Sequence, residues 1–195
     1  MDLIEKITEI ANKNNGVILT KQVTNAGYHR GILKRMENEG LITQIQRGVY
    51  VTEHGYADDF FLIQQVFRKG IFSHETALYL HGFSDRTPFQ FNMTFKQGTS
   101  TSRMKAENVK PVMISKDFEL GLVTLIRNGL TIKVYEMERT LVDLLKPRYS
   151  ADLEQLIPAF KKYAQYENRD INKLFRYANH FGVEEKIRTY IGVLL

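Results

Sequence analysis

Apolar positions open the chain with the period of a helix: Leu3, Ile4, Ile7, Ile10 and Ala11 make one stripe. Asn14-Asn15-Gly16 ends it, since glycine takes the left-handed conformation that closes helices. Val17-Ile18-Leu19 is apolar but too short for a second long helix. Thr20 suits the cap of a short helix over 21–26, which Gly27 breaks, and a third helix is predicted over 28–39, stopped by Gly40. Two β-rich runs, 41–46 and 49–52, flank Arg47-Gly48 and predict a hairpin. Helix, short helix, glycine turn, helix and hairpin within 55 residues is the order of a winged helix-turn-helix.

The third helix carries the candidate chemistry. At about 100° per residue, Ile32, Leu33 and Met36 fall on one side. Arg30, Gly31, Lys34 and Asn38 fall opposite, with Arg35 on the flank. Tyr28, His29 and Arg30 occupy the N-terminal turn, the part of a recognition helix that enters a major groove, where Arg and Lys reach guanine edges and phosphates. Arg47 stands at the wing tip, placed for a phosphate or a minor groove. His29 projects toward the core side and is expected to be partly buried. Basic residues on a helix also make an ordinary solvated face, and winged helices also serve protein contacts. The wing, the turn glycine and the groove-sized face together favour DNA.

Beyond residue 55 the pattern alternates between types. Phe60, Phe61, Ile63, Val66 and Phe67 predict a helix, and Ser73 is placed to cap another over 74–81, ended by Gly82. Phe89, Phe91, Met93 and Phe95 alternate with Gln90, Asn92 and Thr94, a strand with one buried face. Further strands are predicted over 109–115, 122–126 and 130–135, the last two joined by the hairpin dipeptide Asn128-Gly129. A helix over 138–146 carries Leu141, Val142, Leu144 and Leu145 and stops at Pro147. From Ala151 the chain is helical in three stripes: Leu153, Leu156, Ile157, Phe160 and Ala164, with Pro158 a kink or break; Ile171, Leu174, Phe175 and Ala178; Val183, Ile187, Tyr190, Ile191 and Leu194. The expected class is α+β: a winged helix-turn-helix over 1–55, then a mixed α/β domain over 56–195 with a small antiparallel sheet and a C-terminal helical segment over 150–195.

Composition narrows the function classes. The 195 residues are 43% hydrophobic and 25% charged, a globular balance. The absence of cysteine removes disulfides, thiolate metal sites and a cysteine nucleophile. With no membrane-length apolar run and no signal pattern in MDLIEKITEI, the cytoplasm is expected and no membrane partner. A net charge of +5 favours a polyanionic partner mildly. Residues 1–55 hold seven basic and six acidic side chains, so no cationic arm exists and nucleic-acid contact must come from a folded surface.

Catalytic constellations fail on geometry. His74 and His81 stand seven residues apart, roughly 10.5 Å along a helix, too far to share an ion. The side chains of neighbours Ser73, His74 and Glu75 diverge and form no triad. Asp170 with Glu184-Glu185-Lys186 has the letters of a nuclease site in a helical context that does not suit it. The stretch 98–105 is a polar, basic loop suited to phosphates, without the spacing of a Walker loop. No catalytic residue, cofactor or metal is expected, and the chain is not read as an enzyme.

The run NAGYHRGILKRMENEGLITQIQRGVYV, 25–51, resembles the N-terminal winged helix of AbiE-type abortive-infection antitoxins. FSHETALYLHGFSDRTP at 72–88 and EMERTLVDLLKP at 136–147 are similar to that family's second-domain signatures. The resemblance implies the antitoxin of a type IV toxin–antitoxin system acting in phage defence. The winged helix would repress its own operon on inverted repeats of double-stranded DNA. The second domain would counteract a nucleotidyltransferase-like toxin without needing a stable complex. Recognition positions then map to Tyr28, His29, Arg30, Lys34 and Arg35, with Arg47 at the wing. No antitoxic residue carries over individually; composition supplies basic candidates for that surface in Arg103, Lys105, Arg127, Arg139, Lys161, Lys162, Lys173 and Arg176. His74, Glu75 and His81 lie inside a signature and are read as packing and capping residues. Arg139 and Asp143 are an i,i+4 pair, worth a few tenths of a kcal/mol if exposed. No heptad demands a dimer, so a monomer is expected. The alternative is a stand-alone winged-helix regulator whose second domain senses a ligand or mediates oligomerisation.

Overall fold

The computed structural model describes residues 2–149 and 151–194, apart from the side chains at 193 and 194, so the Leu194 position of the last stripe lies outside the described side chains. The chain divides into two units, Met1–Phe67 with Leu125–Ile132, and Arg68–Thr124 with Lys133–Leu195.

The first unit begins with α1 (Leu3–Asn12), opened by a reciprocal cap. Asp2 Oδ1 accepts the Leu3 N–H at 2.6 Å and Glu5 Oε2 accepts the Asp2 N–H at 2.8 Å. β1 (Val17–Leu19), α2 (Thr20–Asn25), α3 (Gly31–Asn38), β2 (Ile42–Gln46), β3 (Val49–Thr52) and α4 (Asp59–Val66) follow. The short apolar run 17–19 is a strand: it pairs antiparallel with β3, giving a three-stranded sheet in the order β1-β3-β2. Gly16 has φ +75°, and a Cβ there would fall 2.4 Å from the Gly55 Cα, so only glycine lets the two chain segments pass. Ile7, Ala11, Ile18, Val23, Ile32, Leu33, Met36 and Ile42 form the core; the helical stripes put Ile7, Ala11, Ile32, Leu33 and Met36 there.

The second unit carries β4 (Ile71–Phe72), α5 (His74–Leu80), β5 (Phe91–Lys96) and β6 (Val109–Ile114). β7 (Leu122–Arg127), β8 (Leu130–Tyr135), α6 (Met137–Leu144), α7 (Leu153–Gln165), α8 (Ile171–His180) and α9 (Glu184–Leu194) complete the chain, the tip of the β7–β8 hairpin grouping with the first unit. The α+β class stands, and β1 and β4 are strands that the sequence pattern did not assign. The five-stranded sheet, β6-β5-β4-β8-β7, is mixed: β4–β5 is antiparallel, as expected of this domain's small sheet, but β4–β8 and β5–β6 are parallel. α7 runs through the exposed Pro158 without a break. Leu78, Phe83, Leu141, Val142, Phe160, Tyr163, Leu174 and Ile187 anchor a core shared by α5 to α9.

Two expectations for this unit change. The alternating strand begins at Phe91, and Phe89 is 91% exposed. Its polar positions Asn92 and Thr94 are buried too, because α5 packs on them. Thr94 Oγ1 donates to Ser73 Oγ at 2.9 Å, and the Asn92 N–H donates to Thr76 Oγ1 at 2.8 Å. Asn92 Nδ2 donates to Glu75 Oε2 at 3.0 Å, and the Tyr149 hydroxyl donates to the same carboxylate. Ser73 stands at the cap position without capping; its hydroxyl lies 3.0 Å from His74 Nδ1, so these two side chains meet where divergence was expected, and only Glu75 turns away. His74 holds φ +51° with its ring 3.9 Å from that of Tyr149. His81 instead points Nε2 at the Tyr135 carbonyl, 2.8 Å away, so the two histidines serve different partners.

The second change is Arg139. It is 1% exposed, and with Asp143 it forms a buried ion pair at 2.9 Å, not the exposed pair of small worth. Its Nη1 donates to the carbonyls of Asp117 and Leu120 at 3.0 and 2.9 Å, and Lys146 Nζ lies 2.5 Å from Asp143 Oδ1.

Removing one member of a buried pair strands the other charge, so Asp143→Ala is expected to cost about 3–5 kcal/mol. The double replacement Arg139→Met with Asp143→Leu should cost clearly less than either single loss. Urea unfolding midpoints check both. Burial lowers the His74 pKa from its ordinary 6.5 to about 4, with the charges of Asp143, Lys146, Arg139 and Lys110 as smaller influences. The unfolded chain therefore binds a proton there that the folded chain refuses. Stability, complete above pH 6.5, falls as pH drops toward 4, by about 3 kcal/mol from this group. Asn tolerates positive φ, so His74→Asn should flatten the stability–pH profile across that window.

Candidate nucleic-acid interface

The α3 helix presents two chemically distinct faces. Ile32, Leu33 and Met36 are buried against α1 and α2, and Arg30, Gly31, Lys34, Arg35 and Asn38 are exposed. The helix starts at Gly31, with Arg30 at the cap position, its own side chain making no capping bond. Tyr28 is half-buried against the core, and Lys6 Nζ stands 5.9 Å from its ring centroid. His29 is exposed, a correction to its expected partial burial. The chain has not yet entered the helix there, so the helical wheel does not apply, and its Nδ1 accepts the Gly31 N–H at 3.2 Å. Nδ1 is then the unprotonated nitrogen of the neutral ring, and Nε2–H is left as the donor. A Cβ on Gly31 would come within 2.9 Å of that ring, so the glycine is what lets the imidazole fold back over the helix start.

Basic charge on this face is held by acids on the same helix. Lys34 Nζ bonds Glu37 at 3.0 Å and Arg35 Nε bonds Glu39 at 2.8 Å, with the Lys34 and Arg35 side chains 72% and 64% exposed. The lysine holds the Glu37 carboxyl below its usual range, and the Gln44 N–H also donates to it at 3.4 Å. These carboxylates share the face with the cations at i,i+3 and i,i+4, a spacing legible in the sequence. Such exposed pairs are worth about 0–1 kcal/mol, so a phosphate can displace the acid at little cost.

Arg47 is exposed at the tip of the β2–β3 hairpin. The following Gly48 takes φ +78°, and its carbonyl accepts the Thr20 N–H at 3.0 Å, tying the base of the wing to the start of α2. Lys21 on α2 is exposed as well and was not among the expected contacts.

The basic candidates of the second domain fare unevenly. Arg139 is buried and committed to Asp143, so it offers nothing to a surface. Arg127 groups with the first unit, where it pairs with Asp58 and stands 5.1 Å from the Phe60 ring centroid. Lys173 is half-buried with Nζ 3.0 Å from Glu136 Oε2, which also takes a 2.6 Å bond from the Tyr177 hydroxyl at its other oxygen. Arg103, paired with Glu107 at 3.2 Å, and Lys105 are exposed in one turn. Lys161 and Lys162 are exposed on α7, and Arg176 on α8. Among the described residues, no group of three or more His, Asp or Glu is placed to hold a metal ion, and no helix is long and apolar enough to cross a membrane.

Residues 5–52 match the family described as transcriptional regulator, AbiEi antitoxin. The match takes in α1 through β3, the helices and hairpin just described, and supports an antitoxin or regulator role. No curated protein matches the chain. A solved structure, the crystal structure of the RV2827C protein from Mycobacterium tuberculosis, is similar with a TM-score of 0.59 at 14% identity, covering 95% of this chain and 74% of that one. At that identity the likeness extends the shared fold across both units and carries no activity.

If the α3 ion pairs are exchangeable, Lys34→Ala and Arg35→Ala each shift stability by less than about 1 kcal/mol. Gly48→Ala, forced into a left-handed conformation, should cost about 1–2 kcal/mol. Thermal or urea unfolding separates the two classes.

Proposed function

We propose that this chain is an antitoxin and transcriptional autorepressor of a type IV toxin–antitoxin operon. Its first unit binds inverted repeats in the promoter, and its second unit counteracts a nucleotidyltransferase-like toxin in phage defence. The observation that carries the reading is the exposed face of α3, with Arg30, Lys34 and Arg35 open to solvent, inside the segment that matches a regulator family. Arg30 and the N-terminal turn of α3 enter the major groove, with Lys34 and Arg35 exchanging their carboxylates for phosphate or base edges. Tyr28 supports the turn, the His29 Nε2–H reaches the backbone, and Arg47 on the wing reaches a phosphate or the adjacent minor groove. The antitoxic surface draws on the exposed Arg103, Lys105, Lys161, Lys162 and Arg176. The chain works in the cytoplasm as a monomer, without catalysis of its own or a cofactor.

Gel shifts on the DNA upstream of the operon, run beside rescue of growth against the adjacent toxin, test the reading with the full chain. Arg30→Ala and Lys34→Ala should each weaken operator binding by about 1–3 kcal/mol and leave rescue intact. Arg47→Ala should reduce the salt slope by about 0.9 per lost phosphate contact. Equal loss of rescue and repression would overturn the division of labour. A full chain that binds DNA and rescues nothing would leave a regulator whose second unit senses a ligand or mediates oligomerisation.

A further inference from the structure

The second unit contains a cleft of about 700 Å³ whose two sides differ in chemistry. Four cationic side chains line it: Arg68 and Lys69 from the turn before β4, Lys96 at the end of β5 and Lys133 on β8. One carboxylate, Glu119, faces them, and it is already paired with Lys96 at 3.2 Å. Both members of that pair are mostly exposed, so an arriving anion can replace the carboxylate cheaply. Ile71, Leu122 and the ring of Phe118 supply an apolar flank, and Lys96 Nζ stands 5.3 Å from the Phe118 centroid. Gly98, Thr99 and Ser100 add backbone and hydroxyl groups at the rim.

Small-molecule clefts run from about 300 to 1,000 Å³ and pair an apolar wall with a few placed polar groups. Cations gathered around one such cleft, in excess over its single acid, call for a multiply charged anion. An aromatic and aliphatic flank beside them calls for a planar ring joined to that anion. A continuous polynucleotide is served by cations strung along a groove, with successive aromatic platforms; here a single ring stands beside a single cluster. We infer that this cleft binds a nucleoside polyphosphate, its phosphates on Lys69, Lys96 and Lys133 and its base against Phe118. The inference is independent of the operator reading, and a chain that fails to bind the promoter leaves it untouched.

Calorimetric titration of the full chain with ATP, GTP, inorganic tripolyphosphate, adenosine and a ten-nucleotide RNA without terminal phosphates tests it. One of the nucleotides should bind saturably at one per chain, with tripolyphosphate at least fivefold weaker and adenosine undetected. Lys96→Glu and Lys133→Glu should weaken the nucleotide at least tenfold, Phe118→Leu should weaken it without affecting tripolyphosphate, and Lys13→Glu in the first unit should change nothing. Competition by tripolyphosphate on the unaltered protein asks the same question should a charge reversal fail to fold. Absence of saturable nucleotide binding overturns the inference, and so does an equal loss in Lys13→Glu. Tripolyphosphate binding as tightly as the nucleotide removes the base from the site, and tighter RNA binding sensitive to Lys96→Glu makes the cleft a strand-binding surface.

Discussion

Arg139 brings a full positive charge into the interior of the second unit, and the surrounding structure is arranged to receive it. A guanidinium out of water is tolerated only when its donors are met and a counter-charge is close. Nε reaches Asp143 one turn along α6, and Nη1 reaches two carbonyls of the segment before β7. The plane of the group is enclosed by rings, its central carbon 4.6 Å from the Tyr135 centroid and 4.3 Å from that of Phe181. Backbone yields as well: Gly121 takes φ +76°, and a Cβ there would strike Arg139 Cβ at 2.8 Å. One side chain thereby joins α6, the end of β8, the 117–121 turn and the corner after α8.

The rest of the 136–147 segment follows the same logic. Glu138, buried, accepts the Tyr163 hydroxyl at 2.9 Å and the Asp170 N–H at 3.2 Å, fixing the end of α7 and the start of α8. Glu136 takes Lys173 and Tyr177 from α8. All eight residues of α6 are buried, so its charged side chains are internal anchors. The charged residues Glu136, Glu138, Arg139 and Asp143 of this segment therefore each have a structural partner, and Arg139 and Lys173 leave the roster of surface cations for the same reason.

Sequence periodicity was sufficient wherever a segment buries one face and wets the other. The stripes of α1 and α3 placed Ile7, Ala11, Ile32, Leu33 and Met36 inside, where they are. Periodicity had no purchase on β1 and β4, because three and two residues cannot display a period. It misread β5, whose polar face is covered by α5 and satisfied by side chains distant in sequence, Ser73, Thr76 and Glu75. The candidate interface was legible in outline from the outward positions of α3. Its electrostatic state depends on Glu37 and Glu39, which a count of cations passes over, and the exposure of His29 on where the helix begins.

The β7–β8 hairpin tip has a consequence for the order in which the protein is made. Residues 125–132 group with the first unit, and Arg127 there meets the Asp58 carboxylate that also accepts the Phe61 N–H at the start of α4. Nascent chains leave the ribosome from the N-terminus, at roughly 5–20 residues per second, and compact units form as they emerge. The amino-terminal body is not complete when its first stretch has emerged; it waits for a piece encoded past the strands β4, β5 and β6 of its neighbour. A translation product cut short anywhere before residue 125 thus lacks the 125–132 segment that groups with the first unit.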